Sequence, residues 1–343
     1  MILLVNKLRM VATRTLALSL TLCVVSWSAQ KKDNLQKPIA GPRATALRVT
    51  ALYVTPSLSS QKVDRVQIGR ELVVSDRSGD KWIRVFANTD IELEHEADAP
   101  VFAENEIPPP VTGWMQVKGI VIETTPNGDQ ILMGAAADQE SLASDPRGPV
   151  NAARTAHLLY RRLVEMFPNS PLAAEAAWRS ADILWQIQKA DASSRPSAKE
   201  RESYLRDQMD EDGMKKVIKF YPHTRQADLA AYALIDNKLC GDWQGQPKCP
   251  EKESELYEKY ATEHPDGPRT AQALYQATYR QAVLVDMYAA DGNDKKSENA
   301  KNHAREFAAK LKEKFPQSDY TARAVALVFK LDGGVPVYGN DRD

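Results

Sequence analysis

The chain has 343 residues, 43% of them hydrophobic and 27% charged, enough for two or three domains with cores of their own. Its 45 Lys and Arg against 46 Asp and Glu leave a net charge of -1, and without the first 28 residues the balance is 42 against 46. That lacks the basic field that DNA or RNA binding requires, so nucleic acid is set aside as a partner.

Lys7, Arg9 and Arg14 precede the apolar run TLALSLTLCVVSW from Thr15 to Trp27. Positive, then apolar, then small is the order of a secretory signal. Ser26 and Ser28 suit the narrow pockets of a signal peptidase, so residues 1–28 are expected to be a signal peptide cleaved after Ser28. The run of about 13 residues is short of the roughly 20 that span a bilayer as a helix. A retained anchor is the alternative, and contact with a membrane is expected only in that case. Leu22 stands where lipidation of Cys23 needs a small residue. Residues 29–45 are polar, carry Pro and Gly, and read as a flexible linker.

Residues 46–123 change to a strand pattern. ALRVTALYVTP from Ala46 alternates apolar with polar positions, as a half-buried strand does. The runs from Val63 and Glu71 follow, and Ser78-Gly79-Asp80 is a hairpin signal before Trp82-Ile83-Arg84-Val85. A last strand starts at Gly113-Trp114. Five short strands with Gly turns predict a small barrel. Residues 87–112 form an acidic, Pro-rich insertion with Glu92, Glu94, Glu96 and Asp98, which lacks the Gly turn of a calcium loop and reads as solvated. The order Leu52-Tyr53-Val54, Gly79, Trp82 to Val85 and Gly113-Trp114 resembles the bacterial SH3 domain, with Tyr53-Val54-Thr55 in place of that family's usual Asn-Val-Arg. The resemblance implies a wall-binding or protein-binding module. Tyr53, Trp82 and Trp114 are its candidate ligand-contact residues, with closure of the barrel core as the competing role for the two tryptophans.

After an expected linker at 124–149, residues 150–331 become helical, and one element recurs four times. It reads LVEMFPNSPLAAEAAW from Leu163, VIKFYPHTRQADLAAY from Val217, YATEHPDGPRTAQALY from Tyr260 and LKEKFPQSDYTARAVA from Leu311. An apolar residue five before each proline ends a helix, an aromatic ring just before the proline plugs the corner, and the proline stops the helix. Ser170, Thr224 or Ser318 then caps the next helix, with Gly267 in that slot once. Ala176, Ala230, Ala273 and Ala324 lie eight positions after Pro168, Pro222, Pro265 and Pro316, where a methyl lets helices approach. The motif resembles the tetratricopeptide-like repeats of the exported outer-membrane assembly lipoprotein and the Tol-Pal-associated coordinator, which implies a helical-hairpin solenoid. Proline spacings of 54, 43 and 51 exceed the usual period of 34 and require longer helices or connections, with ASSRPSA from Ala192 as one visible insert. Trp178, Tyr232 and Tyr275, ten past the first three prolines, line either the groove or the helix interfaces. Residues 332–343 are expected as a disordered tail.

Cys240 and Cys249 bound the loop GDWQGQPK, and in an oxidising compartment they are expected to pair. No histidine sits at zinc-ligand spacing from them, and none of His95, His157, His223, His264 and His303 stands in a recognisable Ser-His-Asp or Cys-His arrangement. Glu251, Glu253 and Glu255, interleaved with lysines, read as a solvated helix face. No cofactor or metal is implied. The multidomain reading is an SH3-like all-β barrel followed by an all-α repeat array, in an exported, periplasmic or secreted, non-catalytic scaffold. Its expected partners are envelope proteins, with peptidoglycan as the alternative ligand and the array then a spacer. An undetected wall hydrolase is the third reading.

Overall fold

The computed structural model describes residues 39–87, 89 and 110–339. The export segment, most of the expected linker, the acidic insertion apart from its two ends, and residues 340–343 lie outside the described residues. The chain divides into Met1–Ala40 and Gly41–Asp343, and every element below belongs to the second unit.

Seven strands come first: β1 Arg43–Ala46, β2 Thr50–Tyr53, β3 Lys62–Val66, β4 Glu71–Ser78, β5 Trp82–Ala87, β6 Val111–Gln116 and β7 Ile120–Ile122. All pair antiparallel in one sheet of order β3-β2-β6-β5-β4-β1-β7. The single strand expected from Ala46 is two, β1 and β2, and β1 starts inside the stretch read as linker. Strands β3 and β7 end the order, and among the described residues no ladder joins them to close the expected barrel. The sheet is coiled nonetheless, because Ala44, Leu52, Val66, Leu72, Ile83, Met115 and Ile122 from all seven strands meet in one core. In β2, β5 and β6 alternation places Leu52, Ile83 and Met115 inside and turns their strand neighbours toward solvent, whereas Ala44–Ala46, Glu71–Val74 and Ile120–Ile122 are buried without a break.

The helices follow as α1 Gly128–Ser144, α2 Ala152–Met166, α3 Ala173–Ser194, α4 Asp212–Phe220, α5 Arg225–Ala233, α6 Lys248–Glu263, α7 Thr270–Ala290, α8 Asp294–Lys314 and α9 Asp319–Asp332. Each motif forms the corner of one hairpin: α2–α3, α4–α5, α6–α7 and α8–α9. The first helix of every hairpin stops two residues before its proline, and Phe167, Tyr221, His264 and Phe315 leave helical geometry at φ -128, -128, -126 and -130°. Their amides donate to the carbonyls of Leu163, Val217, Tyr260 and Leu311, the buried residues four before them. Thr224 and Ser318 accept from Ala227 N and Tyr320 N and cap α5 and α9 as their spacing predicts. Inserts lengthen the first two periods, and the 21-residue helices α7 and α8 lengthen the third. Residues 195–211 join α3 to α4, residues 234–247 join α5 to α6, and these two inserts bind each other through Gly241 N to Glu200 O (2.9 Å) and Arg206 to Leu239 O (2.7 Å).

The expected linker at 124–149 is instead mostly α1, a helix that serves as the outer partner of the first hairpin. Gly128 opens it against the Phe167 ring, where a Cβ would fall 2.4 Å from the ring edge. Ser170 donates to Asp129 at 2.6 Å and ties the same corner. The sheet then abuts α2. Arg162, 1% exposed, donates from Nε to Gly69 O at 3.1 Å and faces Glu71 at 3.6 Å. Gly69 has φ +80°, and a Cβ on it would lie 2.8 Å from Leu158 Cβ. Leu47, Ile68 and Val121 of the sheet share a core with Leu132, Leu159 and Leu163. The expected tail is also held as far as described: Val337 is buried, its amide donates to Asp286, and Tyr279 donates to Tyr338 O.

Candidate functional site

The solvent side of β2, β6 and β5 carries an aromatic row. Tyr53 pairs across the ladder with Trp114, Trp114 with Arg84, and Trp82 with Gln116. The Tyr53 and Trp82 rings meet edge to face at 5.7 Å across the intervening strand β6. All three rings are half-buried, whereas their strand neighbours Leu52, Ile83 and Met115 are fully enclosed. The two tryptophans therefore stand outside the sheet core, contrary to the competing reading that they close it. Phe86 and Thr112 continue the same face one pair further on. The result is a shallow surface of flat apolar rings with an exposed guanidinium, Arg84, and the Gln116 amide beside them. Rings so placed can stack on a sugar or peptide face, and the amide and guanidinium can bind its polar rim.

The aromatics of the repeats lie between helices. Trp178, partly buried, packs against the cluster that Trp185 of α3 forms with Met214 and Val217 of α4. Tyr232 touches Tyr257 and Tyr260 at ring distances of 6.0 and 5.1 Å, and burial pushes its phenol above the ordinary tyrosine range. Tyr275 is 8% exposed and stands 5.7 Å from Tyr320. Tyr275 is enclosed, while Trp178 and Tyr232 stay partly open to solvent.

Cys240 and Cys249 form a disulfide with Cα atoms 6.0 Å apart. Behind it lies a buried network that sequence reasoning missed. Glu253, expected on a solvated face, is 2% exposed. It accepts from Cys240 N (2.8 Å), Trp243 Nε1 (3.2 Å) and Arg280 Nε (3.0 Å). Arg280, fully buried, lies over the Tyr257 ring at 4.8 Å and the Trp243 ring at 5.6 Å and also donates to Gln276. The physical reason for the correction is that a buried carboxylate is tolerated where a guanidinium and several N–H groups satisfy it. The one signal in the sequence was spacing, since Glu253 follows Cys249 by one helical turn. Glu251 is half-buried and Glu255 exposed. Among the described residues no group of three or more His, Cys, Asp or Glu is placed to hold a metal ion, and no helix is long and apolar enough to cross a membrane.

No family model matches the chain, and no curated protein matches it. Among solved structures it is similar to DHR64, a de novo designed helical repeat protein, at 15% identity over 60% of this chain and 92% of that one, with a TM-score of 0.22. The DHF79 filament is similar at 15% identity over 58% and 95%, also with a TM-score of 0.22. The repeat architecture is read from the chain's own four corners.

Proposed function

We propose that this protein is an exported, non-catalytic adaptor of the cell envelope. Its sheet docks on a wall or protein ligand, and its helical array recruits a protein partner. The observation that carries the reading is the row of Tyr53, Trp82 and Trp114 on the open face of a sheet whose core is complete without them. Large rings left at a surface in adjacent register contribute binding rather than packing. The export pattern of residues 1–28 and the disulfide at Cys240 and Cys249 support an oxidising location. The resemblance of residues 46–123 to bacterial SH3 domains supports a wall ligand, and stacked hairpins supply the extended surface by which repeat proteins hold partners.

The test uses the intact chain, because the sheet and the first hairpin share a core. The chain should sediment with purified peptidoglycan. Tyr53→Ala and Trp114→Ala should each weaken that binding roughly two- to tenfold, the equivalent of one lost ring contact, while the melting curve stays put. If the wild-type chain remains in the supernatant, wall docking fails. If envelope proteins captured on the immobilised chain also persist after both substitutions, the aromatic face has no docking role.

A further inference from the structure

We propose that α9 pairs with α9 of a second copy of this chain about a two-fold axis. The inner face of α9 sets Thr321, Ala324, Leu327 and Leu331 against α7 and α8, and all four are buried. Its opposite face is also apolar: Ala322, Val325, Ala326 and Phe329 are exposed, with Val325 at 47% and Phe329 at 79%. The neighbouring α8 behaves otherwise and turns Asn302, Glu306, Lys310, Lys312 and Glu313 outward. A helix that is apolar on both sides belongs between two partners, and the outer helix of a stacked array is normally polar on its outer side.

The pattern on this face identifies the occupant. Let two copies of α9 lie antiparallel, with the two-fold axis between Val325 and Ala326. Ala322 of each copy then stands opposite Phe329 of the other, and Val325 opposite Ala326, so that each large side chain meets a small one. The charges agree. Asp319 and Lys330 lie on the same flank of the face, both exposed and without an ion pair among the described residues. In the antiparallel pair Lys330 of one copy falls two residues, about 3 Å of helix rise, from the level of Asp319 of the other. Two symmetry-related ion pairs result. Asp332, on the opposite flank, is already held by Arg305 at 2.6 Å and leaves this pairing undisturbed.

Light scattering and sedimentation equilibrium of the full chain test this directly. The weight-average mass should rise from one chain toward two as concentration increases. Phe329→Glu should hold it at one chain and leave the melting temperature of dilute, monomeric protein unchanged, because that ring is 79% exposed in its own copy. Asp319→Lys and Lys330→Asp should each weaken association roughly two- to tenfold, since either breaks both symmetry-related pairs. Combining them should restore it. A mass of one chain at every concentration overturns the proposal. So does a dimer that survives Phe329→Glu, or a charge reversal that fails to rescue. A large loss of stability in Phe329→Glu also overturns it, by showing that the chain covers this face itself.

Discussion

Ala176, Ala230, Ala273 and Ala324 are all fully closed to solvent, one at the same place in each hairpin. A side chain larger than a methyl group there has to displace the packing that encloses it. Ala273→Leu should therefore destabilise the protein by about 1–3 kcal/mol, the usual cost of forcing extra methylenes into a filled core, as read by chemical denaturation. A variant that unfolds at the wild-type midpoint would show that the facing helix yields freely. Glu253 teaches the opposite lesson at the same scale. Its neighbours Lys252 and Glu255 are exposed, so the local charge pattern reads as a wet face. Arg280, 27 positions later, the turned-back amide of Cys240 and the Trp243 indole N–H together make its burial tolerable.

Among the elements, the loop between α5 and α6 has the most consequence for its size. The disulfide bounds it, Trp243 fills it at 3% exposure, and the insert at 195–211 hydrogen-bonds to its entrance. Closing so short a loop constrains the unfolded chain by roughly 2–3 kcal/mol. Protein recovered from an oxidising compartment should show no alkylatable thiol at Cys240 or Cys249, and reduction should lower its melting temperature. Two alkylated cysteines in unreduced protein would refute the pairing. Reduction should also loosen Trp243, and its indole fluorescence should shift to the red below the melting transition, because Cys240 N and Trp243 Nε1 share one carboxylate oxygen of Glu253.

For Gly41–Asp343 as a whole, the sheet and the array are one body. Arg162 bridges them as a buried cation between Gly69 O and Glu71, and Val121 lies in the core of the first hairpin. Arg162→Ala leaves Glu71 with less compensation at 11% side-chain exposure and should cost about 3 kcal/mol, as removal of one member of a buried pair does. Hydrogen exchange should then quicken in β4 and α2 together. Faster exchange confined to α2 would mean that the two parts unfold as independent modules. Under the adaptor reading, a ligand on the aromatic face and a partner on the array would be held by parts that share a packed core.

The sequence by itself determined whatever depends on near neighbours. Proline sterics stop each hairpin's first helix, a small residue eight positions on admits the facing helix, and alternation separates Leu52 and Ile83 from Tyr53 and Trp82. These rules act over a few bonds or one helical turn, so their record lies in adjacent residues. The tertiary structure alone decided the rest. It made most of the expected linker at 124–149 a helix that covers Phe167, buried Glu253 against Arg280, and brought Arg162 to Gly69 across 93 residues. It also left both sheet tryptophans half-buried, apart from the sheet's core cluster. A polar side chain is buried when distant partners satisfy it, and a ring stays partly exposed when the core is already full. Both conditions concern residues that meet only after the chain has folded.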